Sequence, residues 1–163
     1  MVIIRRMNKF FAIILCLFNS FFTTSQIKIQ DVGDGWKTSV NSAIEMIKIT
    51  DTASYRLLID ECKEIEFIIG NRSSTKPPYI IAISTEDLKI NSINNIASIL
   101  VHESWHLYFY NHRIVYEANY EESMCYKKEY EFVSKLFYVE DWLFKNIINN
   151  FLYYRYLSFI SEK

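Results

Sequence analysis

The stretch His102-Glu103-Ser104-Trp105-His106 constrains this chain more than any other part of its sequence. Apolar residues flank it on both sides, which predicts that it lies inside a helix. Residues four positions apart share one helical face, so the two imidazoles can converge on a single ion. Glu103 stands between them and brings a carboxylate to the same place. With only 3 His in 163 residues, this pattern favours a metal site over two unrelated histidines, one of them buried and hydrogen-bonded.

Length and composition predict one compact domain of mixed structure. A chain of 163 residues with 50% hydrophobic residues can bury a real core, and disorder is excluded. Only 3 Gly and 2 Pro occur, which favours long helices. We therefore predict a mostly helical α+β domain with a small β-sheet before the motif helix. The expected helices are 38–49, 51–63, 92–110, 116–137 and 139–160, the strands are 65–69 and 79–84, and residues 70–78 form a polar loop.

The first 25 residues have the pattern of a secretory signal peptide. Arg5, Arg6 and Lys9 precede an apolar segment from Phe10 to Phe22, and small residues suited to cleavage follow it. Residues 26–163 would then be the mature domain, exported to the periplasm or secreted, without stable membrane insertion. An uncleaved N-terminal anchor is the alternative. The mature chain has 15 Lys+Arg against 19 Asp+Glu, a formal charge of about −4, and it has no basic patch, which argues against nucleic acid as a partner.

Two cysteines remain in the mature chain, Cys62 and Cys125. In an oxidising compartment an even pair is a candidate disulfide. The alternative, equally favoured, is that Cys125 is simply a small buried hydrophobic residue.

A catalytic zinc ion needs three protein ligands, and the sequence offers two sources for the third. His112 follows His106 by six residues, but the helix must end early to bring it back, and bulky Phe109 stands where a turn would favour glycine. The other source is the acidic pair Glu121 and Glu122 on the next helix. Ligand chemistry and loop sterics favour Glu122, and Glu121 and His112 remain open as alternatives.

The region from about residue 79 to residue 136 resembles the HExxH zinc peptidases, and in particular the gluzincins. In that group the third ligand is a Glu on a second, antiparallel helix, within a Glu-x-x-small pattern that Glu122 and Cys125 fit. The resemblance implies a zincin-like fold, a strand at 79–84 lining the cleft, and an extended peptide as substrate. It also implies a residue that steadies the oxyanion, for which the candidates are Tyr108, Tyr110, His112, Arg113 and Tyr116.

The predicted function is therefore that of an exported small zinc-dependent peptidase. His102, His106 and Glu122 would hold zinc (Zn2+), and Glu103 would act as the general base toward water. The alternative is a non-catalytic exported module, either a zinc-retaining pseudoenzyme or a protein that binds a partner in the cleft. A membrane-surface protein that uses the aromatic C-terminal helix is a more distant third interpretation.

Overall fold

The computed structural model describes residues 27–31 and 35–161, so the predicted signal peptide at residues 1–25 lies outside the described residues. The described chain has four strands: β1 (Lys28–Ile29), β2 (Glu64–Ile68), β3 (Ser74–Lys76) and β4 (Ile80–Ser84). Its helices are α1 (Trp36–Thr50), α2 (Thr52–Glu61), α3 (Thr85–Lys89), α4 (Ile93–Asn111), α5 (Ala118–Val133) and α6 (Asp141–Ser161).

The strands form one mixed sheet in the order β1-β2-β4-β3. β1, β2 and β4 run parallel, with Ile65 opposite Ile81, whereas β3 pairs antiparallel to β4. The helices α1 and α2 make the crossover between the first two parallel strands. β4 lies inside the sheet and is apolar along most of its length, as a strand covered on both faces requires. β3 is the polar strand at the sheet edge.

The helix α4 is the centre of the domain. It packs against α1, α2, α5 and the sheet, and its apolar residues Ile96, Leu100 and Leu107 are fully buried. Because neighbours cover this helix on several sides, its apolar residues are spread around its circumference. α5 in turn packs against α6. The motif residues thus lie on a helix held by the core.

The α+β prediction is confirmed, and the predicted strands and long helices are present within a few residues of their expected ends. Asp51 caps α2 and Ser92 caps α4, each through its side-chain oxygen. The loop predicted at 70–78 is wrong in part, because β3 lies within it. The short helix α3 was also not predicted. β3 reads Ser-Thr-Lys, a polar run that alternation cannot distinguish from a loop, and only its pairing with β4 makes it a strand.

Cys62 and Cys125 are both buried and both free, so the candidate disulfide is not formed. Cys62 ends α2, and its thiol donates to the Glu64 carbonyl at 3.3 Å. Cys125 lies on α5, facing the histidines of α4. Among the described residues, no helix combines the length and the apolar character that crossing a bilayer would need.

Candidate metal centre

The candidate site lies between α4 and α5. His106 contacts Glu121 near the start of α5, whereas His102, one turn earlier on α4, contacts Glu129 two turns later on α5. This reversed order means that the two helices run antiparallel. α4 ends at Asn111, where the chain turns through Arg113 in a left-handed conformation (φ 55°) and Ile114 N–H donates to the Phe109 carbonyl at 2.9 Å.

The two motif histidines face each other through their Nε2 atoms. Nε2 of His102 lies 3.3 Å from Nε2 of His106. The carboxylate of Glu122 faces both: its Oε2 is 3.6 Å from Nε2 of His102, and its Oε1 is 3.7 Å from Nε2 of His106. Two imidazole nitrogens and one carboxylate therefore converge on one small volume, the arrangement that a three-ligand zinc site requires.

The outer nitrogen of each imidazole is occupied by a carboxylate. Nδ1 of His102 lies 3.1 Å from Oε2 of Glu129, and Nδ1 of His106 lies 2.7 Å from Oε1 of Glu121. A carboxylate accepts, so each Nδ1 carries a proton, and the Nε2 of each ring is the nitrogen that faces the other histidine and Glu122. Nitrogen and carboxylate oxygen atoms that converge in this way, largely shielded from water, attract a positive charge, which is either a proton on Nε2 of His102 or a metal ion between the groups. The same carboxylate–imidazole pairing orients histidine ligands in known zinc sites.

The geometry separates the three candidates for the third ligand. Glu122 faces both Nε2 atoms, whereas Glu121 lies on the far side of the His106 ring. His112 lies away from both motif histidines, because its Nε2 pairs with Oε1 of Glu61 at 3.0 Å. Because α4 continues to Asn111, helical rotation puts residue 112 on a different side of the helix from His102 and His106. Of the three, Glu122 is the one placed to share an ion with both histidines.

Cys125 adds a fourth possible donor. One ring nitrogen from each motif histidine and the Sγ of Cys125 all lie within 4.8 Å of one another. Cys125 is fully buried, and this burial raises the pKa of its thiol far above the usual range. As a metal ligand it would have to lose that proton.

Several carboxylates, those of Glu103, Glu122 and Glu129, make the electrostatic potential around His102 negative. Burial acts to lower the pKa of His102, but its hydrogen bonds with Glu122 and Glu129 outweigh burial and raise the pKa to about 10. Burial acts to raise the pKa of Glu122, but the adjacent histidine holds it below its usual value. Carboxylates that stabilise a proton on His102 this strongly would also attract a metal cation to the same nitrogen.

Glu103 is buried, with 7% of its surface exposed, and burial raises the pKa of its carboxyl group. It lines two cavities that lie next to each other. One, of about 300 Å³, is lined by His106, Glu122 and residues 72–75. The other, of about 290 Å³, contains His102 and side chains from α4, α5 and α6. A carboxyl group with a raised pKa beside open space is suited to taking up and giving back a proton.

The strand expected to line the cleft was wrongly placed. β4 is covered inside the sheet, and the cavity beside Glu122 is lined instead by Ser74 and Thr75 of the edge strand β3. None of the five residues expected to steady an oxyanion lines either cavity with Glu103. Tyr110, Arg113 and Tyr116 line a separate cavity of about 640 Å³, while Tyr108 packs its ring 4.3 Å from that of His112.

Arg72 is the residue that sequence reasoning missed. It lines both cavities beside Glu103, and no other Lys or Arg does so among the described residues. Its Nη2 donates to Oε2 of Glu122 at 3.0 Å, and its Nη1 donates to the Tyr154 hydroxyl at 3.4 Å. Tyr126 was also missed, and the centroid of its ring lies 4.4 Å from that of His102. These residues are far from the motif in sequence, and no local pattern marks them.

Comparison with known proteins gives no relative: no protein family matches the chain, and no curated protein or solved structure is significantly similar to it.

Proposed function

We propose that this chain is an exported, small zinc-dependent peptidase with a gluzincin-like ligand set. The observation that carries the proposal is the convergence of three acceptors: Nε2 of His102, Nε2 of His106 and the Glu122 carboxylate. Since both outer ring nitrogens are directed at carboxylates, the inner nitrogens are left for a cation. The export part of the proposal rests on the signal-like pattern of residues 1–25.

Each group then has a chemical role. His102, His106 and Glu122 would hold zinc, which lowers the pKa of bound water and polarises a carbonyl. Glu103 removes the proton from the water that attacks the peptide carbonyl, and it passes this proton to the amine as the C–N bond breaks. Arg72 lines the cavity and pairs with Glu122, and in this proposal its guanidinium would balance negative charge on the carbonyl oxygen.

The test compares metal content and turnover in the purified mature domain. We expect one zinc per chain and zinc-dependent cleavage of an unfolded protein such as casein. Glu103→Gln should keep the zinc and lower turnover by about 10²- to 10⁴-fold. Glu45→Gln is the matched control, since Glu45 is exposed on α1 and pairs only locally with Lys48. Undiminished cleavage by Glu103→Gln would refute the peptidase mechanism.

A second function, a zinc-retaining protein without catalysis, is favoured by the position of Cys125. If its thiolate joined His102, His106 and Glu122, four protein ligands would close the coordination shell. A closed shell leaves no position for water, which is the property of structural zinc sites.

Cobalt substitution distinguishes the two functions. A cobalt–thiolate bond gives a charge-transfer absorption in the near ultraviolet, and a site of His and Glu ligands alone does not. In the peptidase, this absorption should be absent and Cys125→Ala should keep its metal. In the non-catalytic protein, the absorption should be present in the wild type and lost, together with metal affinity, in Cys125→Ala.

A further inference from the structure

The cavity of about 290 Å³ on the α6 side of Glu103 has its own chemistry. It shares Glu103 and Arg72 with the cavity beside Glu122, so it opens directly from the proposed reacting groups. Its outer wall comes from α6, where Asn146 and Asn150 lie one helical turn apart and on one face. A substrate bound for reaction at Glu103 would therefore have this cavity beside it.

Most of the residues that line the cavity have polar side chains. Only Ile99 and Leu143, among the residues that line it, lack a polar side chain. Four asparagines and two tyrosines are among the residues that line it: Asn71, Asn95, Asn146, Asn150, Tyr126 and Tyr154. An apolar side chain that entered would displace water from these groups without replacing its hydrogen bonds. A site of this kind selects a side chain that forms hydrogen bonds.

The charges of the lining exclude an acidic side chain. Three carboxylates line the cavity, from Asp87, Glu103 and Glu129, beside the guanidinium of Arg72 and the imidazole of His102, which is paired with Glu129. That guanidinium is already paired with Glu122. A carboxylate entering the cavity would meet an excess of like charge, whereas a group that ends in hydrogen-bond donors would meet acceptors.

We propose that this cavity binds the substrate side chain next to the cleaved bond and selects one that ends in donors, namely glutamine, lysine or arginine. The inference rests on the proposed peptidase function, and it names the class of peptide that the enzyme takes. Asn146 and Asn150 are specificity residues in it, and they take no part in holding metal or moving protons.

The first experiment reads the cleavage sites in a casein digest made by the zinc-loaded mature protein. We expect glutamine, lysine and arginine to be enriched about tenfold over methionine and leucine at one fixed position next to the cut, with aspartate and glutamate depleted. Asn150→Leu should shift that position toward apolar residues. Asn149→Leu, an exposed change one residue away and outside the cavity lining, should leave it unchanged. Cuts next to apolar or acidic residues, or an unaltered profile in Asn150→Leu, would overturn the proposal.

The second experiment does not need turnover. Three end-blocked peptides Ala-Ala-X-Ala-Ala, with X as glutamine, methionine or glutamate, are titrated into the zinc-loaded Glu103→Gln protein. We expect the glutamine peptide to bind about tenfold more tightly than the other two, and Asn150→Leu to remove this difference. Equal binding overturns the inference even if the wild type is an active peptidase. The expected binding order without cleavage by the wild type supports the cavity's selectivity and refutes the peptidase function instead.

Discussion

Glu129 lies 3.1 Å from Nδ1 of His102, at the edge of the ring opposite the nitrogen that faces His106. Both side chains are buried, so this contact is shielded from water and from salt. It keeps a proton on Nδ1 and holds the ring so that Nε2 faces His106 and Glu122. The buried Glu129 thus sets the orientation of the His102 ring, although its own carboxylate contacts Nδ1 and not the Nε2 that faces His106.

Replacing Glu129 should weaken metal binding without removing a ligand. We expect Glu129→Gln to lower zinc affinity by about tenfold and Glu129→Leu by up to about 100-fold, since loss of an outer hydrogen-bond partner has effects of this size. Competition with a chelator of known affinity measures it. Glu131→Gln is the matched control, because Glu131 lies on the same helix and pairs with Lys128. Equal affinities for all four proteins would show that the contact plays no part in metal binding.

Asp51 joins the start of α2 to Lys135, just after the end of α5. Its side chain accepts from the backbone N–H groups of Ala53 and Ser54, and from Nζ of Lys135 at 2.6 Å. Asp51→Ala removes the helix cap and the ion pair together, and should lower the free energy of unfolding by about 1–2 kcal/mol at neutral pH. Urea unfolding measures this loss. Asp60→Asn, an exposed change on the same helix, should have no measurable effect.

The contribution of the Asp51 charge should vary with pH in a defined direction. Burial acts to raise the pKa of Asp51, but the hydrogen bonds from Lys135 and Ser54 lower it below its usual value in the folded protein. A lowered pKa stabilises the fold above the unfolded pKa of about 4, and this stabilisation is lost as the pH falls through the folded value. The difference in stability between wild type and Asp51→Asn should therefore be largest at pH 5–7 and shrink below pH 4. A stability difference between the two proteins that increases as the pH falls would contradict this prediction.

Arg113 occupies a left-handed backbone position, φ 55°, just after α4 ends. Glycine adopts this conformation without the steric cost that a β-carbon brings. Arg113→Gly should therefore stabilise the protein by about 0.5–1 kcal/mol, visible as a higher midpoint of urea unfolding. Arg113→Ala keeps the β-carbon, so it should not give the gain. Equal stability of the glycine and alanine variants would mean that backbone conformation is not the cause.

The reactivity of Cys62 and Cys125 tests directly whether their thiols are free, as in the structure, or joined in a disulfide. Burial raises the pKa of Cys62 to about 12, and Cys125 is buried as completely. Neither should react with iodoacetamide in the folded protein, because the thiolate is scarce and shielded. In denaturant without reductant, both cysteines of the mature domain (residues 26–163) should be alkylated, with a mass increase of two groups. Alkylation that needs a reductant would show that the two cysteines are joined after all.

The sequence predicted the parts of the site that are close together along the chain. His102, Glu103 and His106 share one helix, so helical periodicity alone places them, and Glu122 was favoured over Glu121 and His112 by ligand chemistry. Helical phase could not decide between Glu121 and Glu122, because both lie near the face of α5 that meets α4. The structure gives them different roles, one facing the inner ring nitrogens and the other an outer one.

Arg72 could not be predicted, because its position depends on long-range packing. It belongs to the connection between β2 and β3, and it reaches Glu122 only because β3 turns back along β4 at the sheet edge. The strand β3 itself has no apolar alternation. The roles of Tyr154 and Asn150 likewise depend on how α6 packs against α5, which no local pattern specifies.

The proposed metal ligands and their carboxylate partners all lie within residues 102–129, on two helices joined by a short connection. The remaining walls of the cavities come from other parts of the chain, chiefly the turn around residue 72, the edge strand and the last helix. Mutation and selection can therefore act on the two parts separately. In the proposed peptidase, changes in the turn or in α6 would alter the substrate while the two helices stay constant, so selectivity should diverge among descendants faster than chemistry does.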